Sequence, residues 1–338
     1  MISVRRLRPR DHKRLRRFAL SLLIIGALCL APALVRASTQ EFGVDHTVPL
    51  SGQWTLSRGD SPDHVSFSLE SHGRGWSHSS GSDVPVRELQ GLDLDHASNT
   101  STVDFVLKRD AGSFRCHGVV QGREGAGLFT LELDAAYAAA LEKRGLGRPT
   151  GDEQARLAYA YADAGFALLD ELEAQGYPTP DVHEFLTMAQ HGANVEYVRG
   201  MAKLGYRFQT VRDLIRARDH GVDPDFVAEL QSAGYSGLSY AVLLSARDHG
   251  VDGDYVSGMR GAGYGSLTIA QLQTARDHGV DPRYVSSMAR EGYKDLPLES
   301  LVRARDHGVD AEFARDVHDR TGRRPPIDEL IRLRDRGD

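Results

Sequence analysis

Cysteine is nearly absent from this sequence: 338 residues contain two, Cys29 and Cys116. They form no closely spaced pair, which excludes zinc sites of the Cys-pair finger type. Also missing are a G-x-S-x-G nucleophile elbow, a G-x-x-x-x-G-K-[ST] phosphate loop and a G-x-G-x-x-G dinucleotide fingerprint. No complete catalytic motif remains, and no cofactor is expected. Basic residues are scarce beyond the N-terminus. The first 37 residues hold nine of the 41 Lys and Arg but one of the 47 Asp and Glu, leaving 32 bases against 46 acids, a net −14. A body this acidic repels nucleic acid and anionic membrane surfaces, so neither is expected as a partner.

The basic N-terminus reads as an export signal. A run of Arg and Lys through Arg17 precedes "FALSLLIIGALCLAPALV", and a small-residue exit ends at Ala37. Residues 1–37 are expected to be a signal peptide, and the mature protein to be exported, periplasmic or extracellular. Left uncleaved, the same apolar stretch is just long enough to anchor the chain in a bilayer, the one route to a membrane. Cleavage removes Cys29, so Cys116 has no partner for an internal disulfide and stability must come from packing. Cys116 lies in the alternating "SFRCHGVV" and reads as a half-buried strand residue rather than a nucleophile.

Residues 38–133 are expected to form a β-rich domain. "VSFSLE" (65–70), "TVDFVLK" (102–108), "FRCHGVV" (114–120) and "LFTLEL" (128–133) alternate apolar and polar positions. Gly-rich turns such as "RDAGS" and "QGREGAG" separate them. "VPVRELQGLDL" (84–94) breaks the alternation and reads as a short helical or irregular crossover. The fold class is α+β: a small antiparallel β-sandwich or curled sheet, followed by an α-α solenoid.

Beyond Leu133 the period changes. "ARDHGVD" stands at 217–223, 246–252, 275–281 and 304–310, always 29 residues apart, and Tyr177, Tyr206, Tyr235, Tyr264 and Tyr293 keep the same spacing. Apolar columns offset by three and four residues define two short helices per repeat. In the phrase, Gly221 supplies a left-handed helix stop, while Asp223 caps the next helix with Pro224 at its first position. Asp252, Asp281 and Asp310 are the equivalent caps. Asp181, Thr210, Ser239 and Thr268 are expected to cap the partner helices. Helices this short are unstable singly and must stack on neighbours. Residues 134–338 are therefore expected to form a solenoid of about five full repeats with partial caps at both ends.

Three groups of residues carry candidate chemistry. The first is the repeat-interface set: Arg218, Asp219 and His220; Arg247, Asp248 and His249; Arg276, Asp277 and His278; Arg305, Asp306 and His307. Stacked hairpins lie roughly 9–10 Å apart, too far for the His column to share a metal. An Asp in a helix's last turn opposes the dipole, so its repeated use implies a local partner, and an Arg–Asp ladder is expected. A charged stripe facing a ligand is the alternative. The second group is His72, Trp76 and His78 in "SHGRGWSHSSG", read as a solvated loop of the β-domain. Together with His117, or with His64 and His96, these could build a hydrolase or metal-dependent site. No metal is expected, since no tight ligand spacing is present. The third, "HEFLT" (183–187), opens like a zincin helix but has Thr187 where the second His is required.

The repeat phrase "AGY…L…L…ARDHGVDPDFV" resembles a degenerate helical repeat of about 29 residues found in exported bacterial proteins of unknown function. Similar arrays are appended to some metallopeptidases of the beta-lactam-sensor type. The hairpin "RDAGSFRCHGVVQGREGAGLFTL" is similar to the β-module that precedes such repeats. The peptidase's transmembrane helices and zinc motif are absent from this sequence, so the resemblance implies no proteolysis. The expected function is that of an exported, non-catalytic scaffold for a protein or peptide partner in the cell envelope. In that reading the β-domain docks and the repeats supply an extended surface. The alternatives are the β-domain hydrolase and an accessory subunit of an envelope sensor.

Overall fold

The computed structural model describes residues 50–59, 61–73, 76–94, 100–160 and 165–337. The expected signal peptide with Cys29, and His96, lie outside these residues. The chain divides into two compact units. One runs through Phe166 and takes in Asp181–Leu186; the other comprises Ala167–Pro180 and Thr187–Asp338.

The first unit is built on β1 (Ser51–Arg58), β2 (His64–Gly73), β3 (Trp76–Pro85), β4 (Leu89–Gln90), β5 (Ser101–Arg109), β6 (Gly112–Gln121) and β7 (Glu124–Leu133). They form one antiparallel sheet in the order β3-β2-β1-β7-β6-β5-β4. The four strands expected from alternation lie inside β2, β5, β6 and β7. The crossover is a 3-10 turn at Val86–Glu88 leading into the two-residue β4.

A single curled sheet, not a pair of stacked sheets, makes the core. Trp54 on β1 and Phe67 on β2 meet Phe105 on β5 with ring centroids 5.0 and 5.9 Å apart. Since β7 and β6 separate β1 from β5 along the sheet, such contact requires the sheet to close over its own inner face. Glycine makes room for the fully buried indole. A Cβ on Gly127 would stand 2.6 Å from Trp54 Nε1, and one on Gly118 2.6 Å from its Cζ2. The indole N–H donates to the His117 carbonyl at 3.2 Å, which satisfies its polar edge.

Two helices complete this unit, α1 (Ala135–Lys143) and α2 (Gly151–Tyr159). Asp134 caps α1, and Thr150 with Glu153 forms a reciprocal capping box on α2. The Tyr159 ring packs on Phe114 and Phe129 at 5.2 and 6.1 Å. Its hydroxyl lies 3.2 Å from that of Ser71, a fully buried side chain of β2. Buried Gln154 donates to the carbonyls of Ala111 and Asp134. These contacts seat α2 over the interior of the curl where β2 ends and β6 begins.

The later helices are α3 (Phe166–Ala174), α4 (Val182–Gln190), α5 (Val195–Lys203), α6 (Val211–Asp219), α7 (Pro224–Ser232), α8 (Tyr240–Asp248) and α9 (Gly253–Gly261). They continue with α10 (Ile269–Asp277), α11 (Pro282–Arg290), α12 (Leu298–Asp306), α13 (Ala311–Thr321) and α14 (Ile327–Arg336). The second helices α5, α7, α9, α11 and α13 each pack on the next, and α8 packs on α10 and α12 on α14. This is stacking of like on like, one repeat upon its neighbour. At the joint, Gly221 takes φ 72° and the Val222 N–H closes back on the Ala217 carbonyl at 2.8 Å. Val222, Val251, Val280 and Val309 are fully buried.

Candidate functional site

Every side chain of the repeated phrase has a defined task. Ala217, Ala246, Ala275 and Ala304 are fully buried, leaving room for the neighbouring helix. The arginine reaches back one repeat and lies over the aromatic ring of the preceding second helix. Arg218 covers Tyr197 at 5.6 Å, Arg247 Phe226 at 5.1 Å, Arg276 Tyr255 at 4.9 Å and Arg305 Tyr284 at 5.1 Å. Arg334 repeats the contact on Phe313. The caps are in place: Asp223, Asp252, Asp281 and Asp310 accept from the N–H of Phe226, Tyr255, Tyr284 and Phe313.

The aspartate also reaches back, but to a histidine. Asp219 bonds His191 Nδ1 at 2.5 Å and Asp248 bonds His220 at 2.6 Å. Asp277, Asp306 and Asp335 hold His249, His278 and His307 at 2.7 Å each. The expected Arg–Asp ladder is thus a His–Asp ladder. Stacking commits the guanidinium to the aromatic face, while the imidazole at each helix C-terminus meets the next carboxylate. An ionised aspartate requires the proton on Nδ1, so Nε2 of a neutral ring presents a lone pair outward. Nε2 of these five rings has no partner among the described residues.

A second set of links escaped the sequence reading. The hydroxyls of Tyr197, Tyr255 and Tyr284 donate to the carbonyls of Val222, Val280 and Val309 at 2.8–3.0 Å. Those of Tyr235, Tyr264 and Tyr293 donate to Leu267, Leu296 and Pro325. Burial holds all six hydroxyls above the usual tyrosine range. The Gly-Tyr column was legible as a spacing; that the hydroxyls of Tyr235, Tyr264 and Tyr293 tie one repeat to the next was not.

In the sheet, "SHGRGWSHSSG" is a hairpin rather than a solvated loop: His72 pairs with Ser77, and Gly73 with Trp76. Serine obscures the strand because β3 has only one neighbour and little apolar surface to bury. His72 and His78 sit on β2 and β3, three and four strands from the His117 strand in the sheet order. His117 faces outward on β6, where Nδ1 contacts Asp104 Oδ1 at 2.8 Å with both side chains mostly exposed. His64 Nδ1 bonds Ser61 and Asp63, and the Ser61 hydroxyl donating to Asp63, followed by the His64 contact, lowers that carboxyl to about 2. Next to His117, Cys116 points inward, and burial pushes its thiol up to about 12, so it stays protonated and unreactive.

Among the described residues no group of three or more His, Cys, Asp or Glu is arranged to hold a metal ion. No helix among them is long and apolar enough to cross a membrane. No protein-family model matches the chain, and no curated protein matches it closely enough to count as a relative.

Proposed function

We propose that this chain is an exported, non-catalytic scaffold that binds a protein or peptide in the cell envelope, with the sheet as docking module and the repeats as extended surface. One observation carries the reading. The phrase that recurs is consumed by joints between repeats, while outward positions of the same helices change freely. Six residues after each Gly-Tyr tyrosine stand His183, Arg212, Ala241, Ala270 and Glu299, and Asp328 holds the same place in the last repeat. A joint held constant beneath a varied exterior is what an interaction array needs. The likeness of the repeat to arrays of exported bacterial proteins points the same way.

The test is affinity capture from envelope extracts on the immobilised mature protein, with the bound material identified by mass spectrometry. A defined partner competed away by free protein is the expected result. Turnover of an ester, peptide or glycan substrate abolished by His117→Ala would replace the scaffold with an enzyme. Sequencing the mature N-terminus from fractionated cells checks export: Ser38 is expected, and an intact Met1 in the membrane fraction would make the segment an anchor.

A further inference from the structure

Full repeats are tied to one another through two columns of tyrosine hydroxyls, and one joint lacks both ties. Where the repeat of α4 and α5 meets that of α6 and α7, Tyr177 accepts from the Phe208 N–H at 3.0 Å and Tyr197 donates to the Val222 carbonyl at 2.9 Å. The repeat of α8 and α9 is tied to that of α10 and α11 by Tyr235 to Leu267 and Tyr255 to Val280. Tyr264 to Leu296 and Tyr284 to Val309 tie the next joint, to α12 and α13. Between α6–α7 and α8–α9 the matching residues are Tyr206 and Phe226. Phe226 has no hydroxyl to give, and that of Tyr206 is buried with no hydrogen-bond partner among the described residues.

The same joint carries a second irregularity. First helices open on a buried apolar residue, Val182, Val211, Ile269, Leu298 and Ile327, but α8 opens on Tyr240. Its ring packs on Phe208 of the preceding repeat at 5.0 Å, and its hydroxyl is also buried without a partner among the described residues. Hydrogen bonds fix how two surfaces align, whereas apolar contact has no direction. An unmet buried hydroxyl is a cost of the closed joint that admitting water relieves. The His220–Asp248 rung and Arg247 over Phe226 do cross this joint, but rung and stacked arginine recur at the other joints too. Arg260 adds one bond, to the Ala233 carbonyl.

We infer that the joint between α6–α7 and α8–α9 is a hinge, at which the array flexes before it flexes elsewhere. Opening there breaks no tyrosine tie and hydrates the Tyr206 and Tyr240 hydroxyls, while opening at the full joints on either side breaks two ties each. An array hinged in this way changes the curvature of its surface at one place instead of along its whole length. The inference depends on the repeats alone and stands or falls apart from the scaffold reading.

Double electron–electron resonance between paired nitroxide labels on the mature chain tests it. Asp225, Asp254, Arg283 and Glu312 hold one exposed position in four successive second helices, and buried Cys116 takes no label. One variant carries Asp225→Cys with Arg283→Cys, the other Asp254→Cys with Glu312→Cys. Both pairs span two steps of stacked helices, roughly 20 Å, and only the first spans the hinge. Its distance distribution should be the wider. Phe226→Tyr, which supplies the hydroxyl that Tyr255 offers one repeat on, should narrow it to the width of the second pair, a change that loss of folding cannot imitate. In urea unfolding Tyr264→Phe should lower the midpoint, and Tyr206→Phe should leave it unchanged or raise it. Equal widths for the two pairs, a width that Phe226→Tyr does not reduce, or a loss on Tyr206→Phe as large as that on Tyr264→Phe overturns the inference.

Discussion

A methyl group added at Gly258 should weaken the array, although the same change strengthens an isolated helix. Gly258 lies inside α9, and its Cβ would stand 2.5 Å from Cγ and 3.0 Å from Cβ of Pro282, the first residue of α11. A proline ring is closed on its own backbone and cannot swing aside, so the joint between two repeats must open. Replacing glycine by alanine within a helix gains about 1 kcal/mol, and overpacking costs about 1–3 kcal/mol. A net loss of about 1 kcal/mol follows. Gly261, in the same helix, has nothing within 4 Å of its Cβ position, so Gly261→Ala keeps the gain without the clash. Pro282→Ala removes the obstacle. In that background Gly258→Ala should become neutral or stabilising, a coupling of about 1–3 kcal/mol between the two sites.

Urea unfolding of the parent, the three single variants and the double variant measures this. Hydrogen exchange at the Val285 amide serves as a local readout, because long arrays need not unfold in one step. The reasoning fails if Gly258→Ala and Gly261→Ala stabilise alike, or if coupling to Pro282 is within error. The same trade of volume recurs along the joint. Gly200 faces Pro224 at 2.6 Å from a hypothetical Cβ, while Glu229 occupies the equivalent position one repeat on and there faces Gly253. Where one side of the joint is bulky, the other is glycine.

Three further outcomes follow from the structure. Asp277→Ala should cost about 0.5 kcal/mol, because both members of the His249 rung are nearly half exposed, and the loss should shrink in 1 M salt; a loss above about 2 kcal/mol by urea unfolding would show the rung to be buried in solution. Met259→Ala, at a fully buried position, should cost about 2–5 kcal/mol in the same assay, and a loss below 1 kcal/mol would contradict tight stacking of α9. Cys116 should resist a thiol reagent at pH 8 until urea unfolds the sheet. Its folded pKa lies above the unfolded value of about 8.5, so the unfolded state releases the proton first and this group lowers stability as pH rises above about 8.5.

How legible the fold was depends on what each residue answers to. The helix stops, the aspartate caps and the buried columns respond to local backbone rules, and the sequence displays them directly as Gly221, Asp223 and Val222. Strands buried on one face announce themselves by alternation, as β5, β6 and β7 do. β1 and β3 do not. Trp54 and Leu56 are the only large apolar residues of β1 to point inward, and β3 is a serine-rich edge. The ladder partner was misjudged for another reason. Charge alone pairs Arg with Asp, whereas the actual pairing depends on which side chain reaches the next repeat at the right height. The aromatic face one repeat upstream claims the guanidinium and leaves the carboxylate to histidine.

That competition explains why the phrase tolerates so little change from one copy to the next. Arginine, aspartate and histidine each contact a residue 21 or 28 positions away, and those partners are columns of the same repeat. A substitution in one copy therefore disturbs two joints, its own and its neighbour's. Outward residues take no part in those columns and are released from that constraint. Variation confined to the exterior is then a consequence of the joint.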